Sequence, residues 1–272
     1  MKGLNLPPNI VAMMREQDRD PTKDPAVFAE MKKRKEEREQ RLISEWNKQI
    51  RQEKIKSWLR DSIWSGSRPL NFTFERWKPD LQANTQLARK VGNSAWKLAN
   101  RMIAGDQFNV LMYGEPGTGK TSLALAIADK VFKEAEKPYL FISTIKIFGM
   151  FSERFDDPKV GHRLKDLQEK AKQAPILIID DFGTEAGMKI FDKSTGRSHF
   201  NPVRKDMQEW LYEVADARYD EYENAHHGST IVTTNNTSGD LVQMYNPKLI
   251  SRLITKRKEN TIDFKGLDDM RG

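Results

Sequence analysis

The sequence predicts an α/β domain, a doubly wound parallel sheet of five strands, preceded by a helical N-terminal region. Two observations carry this. Short apolar runs begin at Asn109 and recur at Tyr139–Ile142, Ile176–Ile179, Thr230–Thr233 and Thr261–Phe264, alternating with helical or mixed segments. Runs this short, separated by helices, require crossover connections, which give a parallel sheet buried on both faces. The first run also enters a Gly-rich turn and leaves it as an amphipathic helix, NVLMYGEPGTGKTSLALAIADKV from Asn109 to Val131.

Composition narrows the classes. A chain of 272 residues has room for one sizeable α/β domain plus an appendage. The formal charge of +7 fits an anionic partner such as nucleic acid without requiring one. Residues 1–68 hold 16 Lys/Arg against 11 Asp/Glu, so most of the excess lies in the appendage. The lack of Cys excludes disulfides, a thiolate zinc site and a cysteine nucleophile, and fits a cytoplasmic location. No apolar run approaches the ~18 residues of a membrane span, and the N-terminus lacks the apolar core of a signal peptide, so no membrane association is expected.

In chain order, residues 1–24 contain Pro7, Pro8 and Pro21 and read as mobile or partner-ordered, with one apolar patch at Ile10–Met14. Asp24-Pro25 is a good helix start, a capping side chain followed by a residue whose missing N–H costs nothing in the first turn. From Ala26 to about Trp64 neither Pro nor Gly interrupts, so a helix, or two with a bend, is expected. Lys32 to Arg41 is almost wholly charged, whereas Leu42, Ile43, Trp46, Ile50, Ile55, Trp58 and Leu59 recur at helical spacing. Two readings stay open: a solvated helix with one end packed on its own domain, or a docking helix for a partner with Trp46 and Trp58 as anchors. Ser65 to Pro69 reads as a linker, which divides the chain into residues 1–68 and 69–272. Thr85 to Ala104 reads as a helix with an apolar face.

The segment Gly114-Glu115-Pro116-Gly117-Thr118-Gly119-Lys120-Thr121 fits the phosphate-binding loop pattern. Its glycines let successive N–H groups face the phosphates, and the helix that opens at Lys120-Thr121-Ser122 turns its positive end to the same anion. Lys120 reaches the β- and γ-phosphates of a triphosphate, and Thr121 offers a hydroxyl to Mg²⁺. Sixty residues on, Ile176 to Ile179 delivers Asp180-Asp181 to the carboxyl end of a strand, where ligands sit in open parallel sheets. Asp180 is expected to bind Mg²⁺, directly or through water, and Asp181 to polarise the attacking water. The run Thr230 to Thr234 ends in Asn235-Asn236, an amide that can donate to the γ-phosphate or the water if this strand neighbours the Asp180 strand.

In order and spacing, GEPGTGKT, ILIIDDFGTE, IVTTNN and LISRLI resemble the AAA+ ATPases of the DnaC/DnaI bacterial and phage helicase-loader family, with transposition helper ATPases of the IstB type as close relatives. The likeness covers about Phe72 to Arg271. It implies an AAA+ P-loop fold with no C-terminal lid or a vestigial one. It implies that Asn235 is sensor 1, that Arg252 in Ser251-Arg252-Leu253 is the box VII arginine finger acting on a neighbouring subunit, and that Arg271 is sensor 2. It implies Mg-dependent, slow ATP hydrolysis, ATP-dependent self-association, and transfer of a hexameric replicative DNA helicase, held by the N-terminal helical region, onto single-stranded DNA. The segment Ser143 to Phe155 matches the place where helicase loaders and replication initiators face single-stranded DNA. There Lys146, Phe148 and Arg154 offer charge and stacking, although Ile147, Met150 and Phe151 read as core and Phe148 is compatible with core too. The alternatives are an IstB-like helper acting on duplex DNA, a small-molecule P-loop kinase, and a nucleotide-binding adaptor without hydrolysis. Glu185 to Arg204 is longer than expected and reads as a loop near the site. His226-His227 reads as a solvated turn.

Overall fold

The structure, a computed structural model, describes residues 25–187, 189–192 and 197–271. The patch Ile10–Met14 lies outside the described residues. The chain divides into two compact units, the first ending at Ile55 and the second beginning at Lys56. Helix α1 (Pro25–Asp61) opens at the proline, as the sequence requires. All described side chains from 29 to 50 are exposed. Local pairs one turn apart, Lys32–Glu36, Lys33–Glu37, Lys35–Glu39 and Arg41–Glu45, support the helix by about 0.3–0.5 kcal/mol each.

The second unit starts with the last turns of α1. Trp58 is buried there, so one of the two expected partner anchors is a core residue. The helix stops at Asp61, not near Trp64, because the sheet edge competes for the peptide groups of Ile63. The Ile63 N–H donates to Phe141 O at 2.7 Å, and Ile63 O accepts from the Ser143 N–H at 2.9 Å. A one-residue parallel bridge thus covers an edge that would otherwise expose unpaired groups. Trp64 stacks on Phe141 with ring centroids 4.3 Å apart.

Helix α2 (Thr85–Ala104) is capped by Asn84, whose side chain accepts the Leu87 N–H, and ends at left-handed Gly105. Strand β1 (Asn109–Tyr113) leads to α3 (Lys120–Ala135), then β2 (Tyr139–Ser143), α4 (Thr144–Glu153), α5 (Pro158–Gln173) and β3 (Ile176–Asp180). A hairpin of β4 (Ile190–Asp192) and β5 (Arg197–His199) precedes α6 (Lys205–Ala217), and a smaller one joins β6 (Tyr219–Asp220) to β7 (Ala225–His226). Strand β8 (Ser229–Thr234), helices α7 (Ser238–Met244) and α8 (Pro247–Leu253) and strand β9 (Thr261–Asp263) complete the order. The main sheet runs β2-β3-β8-β1-β9, parallel throughout, with each of the five expected apolar runs as one strand.

Alternation along the strands feeds two cores. Leu111, Ile142, Leu177, Ile179 and Val232 face α4 to α8, whereas Val110, Met112, Ile178 and Ile231 face α2 and α3. Small residues on α2, Ala88, Ala95 and Ala99, are fully buried where that helix meets α3. Among the described residues of the insertion, Thr184–Ala186 form a 3₁₀ turn and β4 pairs antiparallel with β5. His226 departs from the solvated reading: it is half-buried in β7 beside the Tyr219 ring, and burial lowers its pKa, while His227 stays largely exposed. Arg218 is buried between α5 and β8. Its guanidinium donates to Ala171 O, Ala174 O, Ser229 O and Thr230 Oγ1, which gives each nitrogen of a buried cation a hydrogen bond. No helix among the described residues is long and apolar enough to cross a membrane.

Candidate nucleotide-binding site

Strand β1 delivers the loop Gly114 to Gly119 to the carboxyl edge of the sheet, and α3 begins at Lys120. Gly117 and Gly119 hold φ of 77° and 96°, a region that favours glycine. Close neighbours add a second reason: a Cβ on Gly119 would meet the Trp77 ring at 2.7 Å, and one on Gly117 would overlap the Asp269 carboxylate. Glu115 and Pro116 are exposed at the tip, and Thr118 Oγ1 donates back to Glu115 O at 2.8 Å. Lys120 is buried, and its ammonium donates to Gly114 O (2.9 Å) and Glu115 O (2.6 Å). Burial holds that ammonium below the usual lysine range. Arg271 pushes the same way, and Asp181 and Asp180 oppose it.

Across the loop, Thr121 Oγ1 donates to Asp180 Oδ1 at 2.7 Å, and Thr233 Oγ1 donates to the same oxygen at 2.7 Å. Burial, followed by the charge of Asp181, pushes Asp180 up to about 6. A hydroxyl and a buried carboxylate in contact beside an anion loop form the oxygen donor set that Mg²⁺ takes together with phosphate and water. The residues therefore fit the ion. Asp181 follows with a left-handed backbone, φ 56°, and its N–H donates to Thr233 Oγ1 at 3.0 Å. Ser122 is half-buried in the first turn of α3, and Asn235 is exposed just beyond the end of β8, next to β3 as its expected role requires.

The chain after β9 runs back over the loop. The Met270 N–H donates to Gly117 O at 3.1 Å. Asp268 is clamped to the entry of α2: its N–H donates to Gln82 Oε1 (2.6 Å), its carbonyl accepts from Gln82 Nε2 (3.2 Å), and its carboxylate accepts the Ala83 N–H (2.9 Å). Arg271 is exposed and paired with Asp269 at 3.5 Å.

Other expected residues lie away from this cluster. The Arg252 carbonyl accepts from the side chain of Asn109, the first residue of β1, at 2.8 Å. Arg252 therefore sits at the amino edge of the sheet, with the five-residue length of β1, about 16 Å, between it and its own loop. Its guanidinium pairs with Asp216 at 2.7 Å and with Glu221. On α4, Lys146 is exposed and Phe148 is half-buried against the core, while Arg154 donates to Asp206 at 2.7 Å. Arg204 shares that carboxylate, at 2.8 Å.

Residues that the motifs did not signal include Thr233, Thr144, Glu185, Tyr245 and Asp269. Thr233 was within reach of sequence reasoning, because it lies on β8 next to the expected sensor. The others come together only through tertiary packing.

A Gly-rich loop between strand and helix at the carboxyl edge of a parallel sheet, with a hydroxyl and a buried carboxylate beside it, defines a P-loop nucleotide-binding protein. The family can be stated more narrowly. A model of the ATPase family associated with various cellular activities (AAA) matches residues 110–259, more than half of the chain, and the chain belongs to that family. Among curated proteins it is similar to a 26S proteasome regulatory subunit homolog of Methanothermobacter thermautotrophicus, 29% identical over 161 residues, covering 59% of this chain and 36% of that protein. It is also similar to the uncharacterized protein YdaV of Escherichia coli K12, 26% identical over 148 residues, 54% of each. The chain thus spans from about a third to about half of the length of these relatives. Among solved structures, AMPPCP-bound DnaA from Aquifex aeolicus matches with a TM-score of 0.49 and 14% identity over 71% of this chain and 50% of that one. The DnaC helicase loader matches with a TM-score of 0.43 and 19% identity over 64% and 89%.

Proposed function

We propose that the protein is an ATP-dependent helicase loader: it binds ATP with Mg²⁺, hydrolyses it slowly, self-associates, and places a hexameric replicative DNA helicase on single-stranded DNA. The observation that carries the ATPase part is the contact of Thr121 and Thr233 with one buried carboxylate oxygen of Asp180, with Asp181 next in the chain. When bound, Mg²⁺ supplies charge neutralisation on the β- and γ-phosphate oxygens. Lys120 exchanges two loop carbonyls for phosphate oxygens, Asp181 accepts the hydrogen bond of the attacking water, and Asn235 donates to the γ-phosphate. Arg252 is too far from its own loop to serve it, which supports action on a neighbouring copy, where such a guanidinium raises rates by about 10³–10⁵. Arg271 would gain a phosphate in exchange for Asp269.

Residues 1–68 form the client-binding region in this reading, and 69–272 the ATPase domain. Support comes from the motif resemblance and from α1, where Leu42, Ile43, Trp46 and Ile50 are all exposed at helical spacing, Trp46 by 69%. Single-stranded DNA contact by α4 rests on Lys146 and a partly available Phe148. Arg154 joins only after leaving Asp206. The test has two arms. Lys120→Ala is expected to abolish binding of a fluorescent ATP analogue, while Asp181→Asn keeps binding and loses turnover by about 10²-fold or more. Full-length protein is expected to retain a hexameric replicative helicase, and Trp46→Ala to release it. Failure to retain helicase, together with remodelling of duplex DNA, would favour the transposition-helper reading.

A further inference from the structure

We propose that Glu185, through a buried pair with Tyr245, is a positioning residue for Asp181, and that the pair joins the hydrolytic side of the site to α8, the helix that carries Arg252. This rests on the ATPase reading above. The left-handed backbone of Asp181 is uncommon outside glycine, although aspartate adopts it more readily than most residues, and here hydrogen bonds on both sides of the residue hold it. Thr233 accepts its N–H, and its carbonyl accepts from Thr144 Oγ1 at 2.9 Å and from the Thr184 N–H at 3.0 Å. The chain then turns at left-handed Gly183, and the Glu185 carboxylate folds back beneath the turn. One carboxylate oxygen accepts the Gly183 N–H at 3.1 Å, and the other accepts the Tyr245 hydroxyl.

Both side chains are deeply buried, 7% exposed for Glu185 and 3% for Tyr245. The Tyr245 ring stacks on Phe182 with centroids 4.2 Å apart and planes within 7°. The residue after Asp181 and the fourth after it therefore both lean on one side chain. Tyr245 is also the C-cap of α7, with its N–H on Leu241 O, and is followed by Asn246, the N-cap of α8. Packing alone would be served as well by an apolar pair of the same shape, since a buried carboxylate carries a desolvation cost. The pair instead ties the turn that sets Asp181 to the start of a seven-residue helix whose last turn holds Arg252. A movement of α8 would therefore reach the turn that sets Asp181 through Tyr245.

The test uses full-length Tyr245→Phe, which keeps the stack and removes one hydroxyl, and Glu185→Gln, which keeps the shape. In each, kcat for ATP, KM, the dissociation constant of a fluorescent ATP analogue and the melting temperature are measured. The expected result is a fall in kcat of about tenfold with KM and nucleotide affinity within twofold of wild type, and a double variant no slower than the slower single. Unchanged kcat in both variants beside an active wild type, with only the melting temperature lowered, would overturn the inference and leave the ATPase reading intact. If Glu185→Gln does not fold, Tyr245→Phe decides alone. No hydrolysis by the wild-type chain would overturn the parent reading and with it any positioning role in hydrolysis.

Discussion

Asp180 accepts two hydroxyl hydrogen bonds, yet burial and the Asp181 charge raise its pKa from 3.8 to about 6. Between pH 3.8 and about 6 the metal-free fold therefore holds a proton that the unfolded chain has already lost. The contribution of this group to stability is complete below pH 3.8 and is lost as pH rises through about 6. Asp180→Asn is expected to raise the melting temperature of the metal-free protein at pH 7.5 and to do so much less at pH 5, which a pH series of thermal melts would check. Affinity for Mg-nucleotide runs the other way, since Mg²⁺ needs the ionised carboxylate. It is expected to weaken by about tenfold per pH unit below the pKa. Arg218 makes the opposite kind of residue-level claim. Arg218→Met would take from the buried carbonyls of Ala171 and Ala174 the donors that Arg218 supplies, a loss of about 2 kcal/mol or more in a denaturant titration. Nothing local in the sequence shows that its partners come from the end of α5 and from β8.

Among the elements, the parallel strands were legible because four of the five apolar runs are buried on both faces, β9 at the edge with its exposed Asp263 being the exception, and β3 reads as apolar without a break until Asp180. The phosphate loop was legible because a turn between strand and helix that receives an anion restricts residue type at nearly every position. The end of α1 was not, because helix-forming residues continue past Asp61 and only the β2 edge decides that Ile63 leaves the helix. Strands of two and three residues, as in the β4–β5 and β6–β7 hairpins, are too short for alternation to register. Trp58 and Trp46 looked alike in sequence and differ in kind. Trp58→Ala is expected to cost about 3–5 kcal/mol of stability, whereas Trp46→Ala stays within about 0.5 kcal/mol and acts on helicase retention alone. Equal destabilisation by both in denaturant melts would count against an open docking face on α1. Arg154, just after the end of α4, and Arg204, just before α6, share Asp206, so Asp206→Asn is expected to strengthen binding of labelled single-stranded DNA if α4 faces DNA.

For the whole molecule, the sheet separates two edges with different tasks. The carboxyl edge holds the loop, Asp180, Asp181 and Asn235, while the amino edge holds Arg252, tethered to Asp216 and Glu221. In the proposed reading a single copy carries one site that lacks its arginine and one arginine distant from its own loop. Two copies in contact, amino edge against carboxyl edge, would complete one site, with the Asp216 and Glu221 pairs exchanged for the γ-phosphate. Such a head-to-tail contact repeats from copy to copy. The most direct measurement mixes two full-length variants that are each inactive: Arg252→Ala, which keeps its own loop and Asp181 but supplies no guanidinium, and Asp181→Asn, which supplies the guanidinium but cannot activate water. ATP hydrolysis is expected to appear on mixing and to rise with total protein concentration. A mixture that stays silent while each variant binds nucleotide and wild type turns over would contradict a site shared between copies.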